Sequence, residues 1–217
     1  MTSKDSERII PKIILILGSY DPETKTLLYR VKEYICISFT EDIYPLLLEE
    51  VEMYRCTDDH LVLVERIDNM CTVHIYKTPL GLKDIYSFEC EDYTSTLENI
   101  LLERYDIEVK EKVPVLEKLN ILARISELTF IIRDKELTRG GEYVELTFLL
   151  DQGLDPRDVY FLVNRSIGFS SMLKELLDCY NFNFRVYSNV EELLEEVHRI
   201  IYYRVIKGRE EYSSSLT

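Results

Sequence analysis

At 217 residues, with 46% apolar and 30% charged side chains, the chain can bury a sizeable core beneath a charged surface, which excludes wholesale disorder. Its formal charge of −14 excludes a broad phosphate-contacting footprint, because such contacts depend on clustered Lys and Arg, so direct nucleic-acid binding is not expected. The longest apolar run, Ile13 to Leu17, is strand-sized, and Met1 to Arg8 is polar and mixed in charge; a cytoplasmic protein with no membrane partner is expected.

Taken in chain order, Lys12 to Leu17 is a compact apolar run stopping at Gly18 and Ser19, the pattern of a buried parallel strand. A helix follows from Glu23 to about Ile35, with Leu27, Val31, Tyr34 and Ile35 on one face and Pro22 in its first turn. Ile43 to Leu48 is the next strand, and Pro45 within it favours an edge or a bulge. Leu61 to Val64 and Val73 to Tyr76 flank Asp68 and Asn69 and predict a β-hairpin outside any βα repeat. Pro79, Gly81 and the acidic Glu89 to Asp92 read as a connection to a helix from about Ser95 to Tyr105.

The second half is more regular. Val115 to Ile125 predicts a helix and Leu128 to Ile132 a strand; Gly140 and Gly141 open a helix to about Leu150 before a strand at Val159 to Val163. Ser170 begins a further helix, Phe184 to Tyr187 a strand, and Ser188 with Glu191 has capping-box spacing before a last helix reaching about Val205. Consecutive βα units imply right-handed crossovers and a mostly parallel sheet with helices on both faces. Residues 1–212 therefore read as a single α/β domain carrying an insertion at 61–110, and 213–217 as a loose tail.

Cys36, Cys56, Cys71, Cys90 and Cys179 are odd in number, widely spaced and without a CxxC pair, so buried free thiols are expected and a disulfide framework is not. Cys71 and His74, with His60 upstream, have ligand-like spacing, but residues three apart on a strand face opposite ways; no metal and no cofactor are expected. Abundant Glu, Lys, Ile and Tyr beside the single Gln152 suit a thermophile.

In a parallel α/β sheet, ligands bind beyond the carboxyl ends of the strands, which selects three loops: Gly18-Ser19-Tyr20, Arg133 to Gly141 and Asn164 to Ser171. Gly18 lets backbone approach a ligand, Asp134 lies just past a strand end, and Gly140-Gly141 opens a helix whose first turns hold Glu142 and Glu145. A carboxylate there can hold a ribose hydroxyl, act as a base or attack an anomeric carbon; equally, glutamates early in a helix complement its dipole. Arg165 with the hydroxyls around Ser170 can take a phosphate or simply begin a capped helix. His60, His74 and His198 enter no Ser-His-Asp set, and no P-loop is present.

Ser126 to Asp134, followed by Gly140-Gly141-Glu142-Tyr143-Val144-Glu145-Leu146, resembles the core of the nucleoside 2-deoxyribosyltransferase-like superfamily, and the same Glu-Leu helix start is similar to Toll/interleukin-receptor-type domains that cleave nicotinamide dinucleotides. The resemblance covers about half of the chain and implies Glu145 as nucleophile, Asp134 as a sugar contact and Gly18, Ser19 and Tyr20 as pocket residues. It also implies a doubly wound, flavodoxin-like or Rossmann-like sheet, and an N-glycosidic-bond transferase or hydrolase acting on a nucleoside, nucleotide or dinucleotide. The alternative is a non-catalytic nucleotide-sensing or protein-interaction module, favoured by Arg139, which stands where the family usually has Asp. Either reading leaves room for a homo-oligomer.

Overall fold

The computed structural model describes residues 12–19, 21–39, 43–67, 70–77, 81–89, 93–135, 148, 153–167, 174–175 and 178–207, with only the backbone of 67, 81–89 and 93–95. It is an α/β protein with a parallel five-stranded sheet and a separate antiparallel sheet. The chain divides into two compact units, Met1–Leu47 with Leu122–Thr217, and Leu48–Ile121.

The first unit is built on β1 (Lys12–Gly18), β2 (Ile43–Leu47), β8 (Ser126–Arg133), β9 (Val159–Asn164) and β10 (Asn183–Tyr187), in the order β10-β9-β8-β1-β2 with every pair parallel. The apolar runs at 12–17, 128–132, 159–163 and 184–187 are thus neighbours in one sheet. Pro45, which cannot donate to a ladder, falls in the edge strand β2. Both faces of the central strands are buried: Ile14, Ile16, Phe130, Ile132 and Leu162 on one side, Leu15, Leu17, Ile131, Phe161 and Val163 on the other. This burial explains why these strands read as continuous apolar runs instead of alternating ones.

Helices α1 (Pro22–Ser38) and α4 (Val190–Ile201) pack on the first of these faces, bringing Leu28, Val31, Ile35, Leu193, Val197 and Ile201 into one core with it. Asp21 caps α1 by accepting hydrogen bonds from the Glu23 and Thr24 N–H groups, with Pro22 behind it in the first turn. The cap of α4 is displaced by one residue from the expected Ser188 and Glu191. Asn189 accepts from the Glu192 N–H, and the Glu192 carboxylate accepts from the Ser188 N–H. Asn is as good a cap as Ser, and this choice aligns Leu193 and Val197 with the core.

The second unit carries β3 (Val51–Cys56), β4 (His60–Ile67), β5 (Met70–Lys77), β6 (Gly81–Glu89) and β7 (Val109–Lys112) in the order β6-β5-β4-β3-β7, all antiparallel. β4 and β5 pair along their whole length, from His60 against Lys77 to Ile67 against Met70. Residues 81–89, expected as a connection, are instead the edge strand β6, whose pairing shifts register opposite Ile75 and Tyr76. Helix α2 (Tyr93–Tyr105) contributes Leu97 and Leu101 to a core with Val62, Val64, Cys71, Val73 and Ile75. Helix α3 (Val115–Ile125) leads into β8, and its buried Lys118 donates to the Leu48 and Val51 carbonyls at 2.7 and 2.6 Å. These two acceptors satisfy an ammonium that would otherwise be costly to bury.

The cysteines correct one expectation. Cys71 is disulfide-bonded, and among the described residues Cys56 is a buried free thiol, its pKa pushed up to about 11 by burial, while Cys36 and Cys179 are exposed. Disulfide pairing needs Cα atoms within about 7 Å of each other, a proximity created by tertiary structure and invisible in spacing.

In Gly18→Ala the new Cβ lies 2.8 Å from the Ile132 carbonyl oxygen and 3.0 Å from a Leu28 methyl, so chemical denaturation should find a loss of about 1–3 kcal/mol. His74, 2% exposed on β5, has its pKa lowered to about 4 by burial. The unfolded chain binds this proton near 6.5 and the folded one near 4, so stability falls as pH drops through that window, by at most about 1.4 kcal/mol per pH unit. Denaturation midpoints measured across it should fall less steeply in His74→Asn than in the wild type.

Candidate functional site

The carboxyl ends of β1, β8, β9 and β10 form one rim. Gly18 closes β1, where the Ile132 carbonyl and Leu28 leave no room for a side chain; its bareness serves packing of β1 against β8 and α1. Ser19 follows, close enough to Asp21 to help lower its pKa. Burial works to raise the pKa of Asp21, but interactions with Thr24, Ser19 and Glu23, among them the hydrogen bonds that Oδ1 accepts from the Thr24 and Glu23 N–H groups, outweigh it and bring the carboxyl to about 2. The amino end of α1 is therefore already occupied by a carboxylate of its own chain. Lys135, just beyond β8, pairs with Glu23 and lies 3.7 Å from Asp21, tying the loop after β8 to the first turn of α1.

Asp134 stands at the centre of a polar row that crosses three strand ends. Register pairs Arg133 with Val163 and Asn164 with Tyr187, which brings Asp134, Asn164 and Tyr187 side by side. The Asn164 amide donates to Asp134 Oδ1 at 2.9 Å, and the Tyr187 hydroxyl donates to the same oxygen at 2.9 Å. Asn164 Oδ1 in turn accepts from the Ser166 N–H and hydroxyl at 3.0 and 2.8 Å, which fixes the amide's orientation. Tyr187 is 1% exposed; burial first, then the charge of Asp134 and the bond to it, drive its pKa well above the ordinary phenol value, so it remains a donor. Asp134 Oδ2 makes no hydrogen bond among the described residues.

Arg165 extends the rim on an exposed turn, its N–H donating to the Tyr187 carbonyl at 2.7 Å. Glu192 lies within electrostatic reach: its interactions with Ser188, first the hydrogen bond from the Ser188 N–H, lower its pKa against an opposing effect of burial, and Arg165 adds to the lowering. A carboxylate of α4 thus already lies within electrostatic reach of the guanidinium, which weakens the case for it as a phosphate receptor. Of the residues singled out from sequence, Gly18, Ser19, Asp134 and Arg165 all lie on this rim, while Tyr20, Gly140, Gly141, Glu142, Glu145 and Ser170 fall outside the described residues.

The sequence reading takes in Asn164 only as the first residue of the loop Asn164 to Ser171, with no role of its own, and misses Tyr187. Each is the last residue of its strand, so the strand-end rule that selects Asp134 points to Tyr187 as well.

A cavity of about 230 Å³ lies at the opposite, amino edge of β8 and β9, lined by Arg124, Ser126, Thr129, Gly153, Asp155 and Asp158. Its carboxylates are already used, Asp155 by Arg157 at 2.6 Å and Asp158 by Arg204 at 3.1 Å. The cavity's carboxylates are paired to arginines, whereas Asp134 on the rim is hydrogen-bonded by neutral donors, which makes the rim the stronger candidate. Among the described residues no group of His, Cys, Asp and Glu is arranged to hold a metal, and no helix is long and apolar enough to cross a membrane. Compared with models of protein families and with curated proteins, the chain matches none.

Proposed function

We propose that the chain is a cytoplasmic enzyme that binds a nucleoside or nucleotide at the carboxyl rim of its parallel sheet and breaks or transfers the N-glycosidic bond through Glu145. The single observation that carries this reading is the strand order. Numbered within the sheet by chain order it is 2-1-3-4-5, the flavodoxin-like order of a doubly wound sheet, whose direction reverses between β1 and β8. Sheets of this order bind ligands at that reversal, where Gly18 and Ser19 end one strand and Asp134 the other. Burial of both sheet faces and the shared face of α1 and α4 support the doubly wound reading, in which residues 48–121 are an insertion enlarged from its β4–β5 hairpin.

In the reaction, Asp134 accepts a sugar hydroxyl and holds the ring. The Glu145 carboxylate attacks the anomeric carbon, the base leaves with the glycosidic electron pair, and water or a second base then takes the glycosyl group. A second reading is favoured by one feature: the separate sheet of residues 48–121 has its own core and interrupts the nucleotide-binding unit between β2 and β8, as an effector module would. There the rim senses a nucleotide without cleaving it.

Mass spectrometry of small molecules retained through purification, followed by chromatographic assay of free base from added nucleosides and dinucleotides, separates the two. The enzymatic reading expects base release by the wild type and its loss, by about 100-fold or more, in Glu145→Gln with ligand retention preserved. Ligand retained by both forms with no base released establishes the sensor; no ligand and no release removes both readings.

A further inference from the structure

Building on the nucleoside-binding reading, we propose that Tyr187 is a positioning residue that makes the rim selective for sugars bearing free hydroxyls. Its phenol and the Asn164 amide both donate to Oδ1 of Asp134, fixing the carboxylate's plane and leaving Oδ2 as the acceptor for a ligand hydroxyl.

Three features separate this arrangement from a simple strand tie. Tyr187 sits in the apolar core among Leu193, Val197 and Ile201, where Phe would fill the same space without a polar atom to satisfy. The buried hydroxyl is therefore explained by what it touches, and its nearer acceptor is the carboxylate at 2.9 Å, with the Arg133 carbonyl at 3.3 Å. Both donors also converge on one oxygen. A carboxylate serving only to join β8, β9 and β10 would gain more by spreading two donors over two oxygens, whereas convergence frees one oxygen at the rim. The charge there is also unsuited to phosphate: the nearby Lys135 is paired with Glu23 and lies 3.7 Å from Asp21, and Arg165 has Glu192 within electrostatic reach, so each of these cations already has a carboxylate of the chain beside it. A neutral hydroxyl donor is the chemistry that fits Oδ2.

The test compares equilibrium binding of adenosine and uridine with that of their 2′,3′-dideoxy analogues, in the wild type and in Tyr187→Phe. The wild type is expected to bind the hydroxylated member of at least one pair about tenfold more tightly, the effect of one good hydrogen bond to a charged acceptor. In Tyr187→Phe that preference should fall to about threefold or less while affinity for the dideoxy analogue stays within about twofold. A merely structural tyrosine would weaken both ligands together. Should Tyr187→Phe fail to fold, Asn164→Ala, which removes the other donor, carries the same expectation. Nucleoside binding with a preference unchanged by these substitutions, or with none in the wild type, overturns the proposal and leaves the nucleoside-binding reading standing; failure of the wild type to bind any of the four overturns both.

Discussion

The direct apposition of β1 and β8 is the constraint on which the rest of the parallel-sheet unit depends. Ile14 to Gly18 pair with Leu128 to Ile132 on one side, while the same strand pairs with β2 on the other, so β1 has no free edge and no exposed face. A strand so enclosed must be apolar throughout, and it must end in a residue small enough for the next carbonyl to approach. Gly18 meets that demand. Its missing Cβ lets Ile132 and Leu28 close in, which sets the depth at which α1 lies on the sheet and hence where Asp21, Glu23 and the loop after β8 come together.

The rim inherits its chemistry from this geometry. Because paired residues in a parallel sheet point the same way, extending the register of β8, β9 and β10 by one step yields a row of side chains on a single face. Asp, Asn and Tyr at those ends form a chain in which each donor has a defined acceptor, running from Ser166 through Asn164 to Asp134 and Tyr187. Such a network is rigid because every rotation within it breaks a hydrogen bond in a partly buried setting. A preorganised acceptor on strand ends suits recognition better than one on a loop, since its supporting residues are locked by packing.

Sequence patterns revealed the parallel sheet almost completely and the antiparallel one only in part, and the difference is physical. Strands buried on both faces advertise themselves as apolar runs, as at Ile13 to Leu17 and Val159 to Val163. The edge strand β7, Val-Lys-Glu-Lys, carries charges that protect an unpaired edge and hide it from any search for apolar residues. The missed β3 has a quieter signal: Asp58 and Asp59 adopt left-handed backbone in the turn leading to β4, a conformation Asp tolerates, yet nothing in Thr57-Asp58-Asp59 distinguishes that turn from any polar loop. At the rim, Asp134 was legible because it follows a strand and is charged. Tyr187 was not, because it reads as one more core aromatic until Asp134, far away in sequence, is folded against it.

The order of strands along the chain has a consequence for biosynthesis. β1, α1 and β2 leave the ribosome first, but Thr129, the partner of Leu15 in β8, follows only after all of residues 48–121. At about 5–20 residues per second, the wait is on the order of ten seconds, during which an all-apolar strand has one edge unsatisfied. That edge is the kind of template on which nascent chains associate wrongly. The intervening unit limits the exposure, because its antiparallel pairings β3–β4, β4–β5 and β5–β6 join neighbours in sequence and need no distant partner. Once collapsed, it draws the two halves of the parallel sheet's sequence together and lowers the entropy cost of the long closure between β2 and β8. The interruption that splits the sheet in sequence thus also shortens the search by which the sheet completes itself.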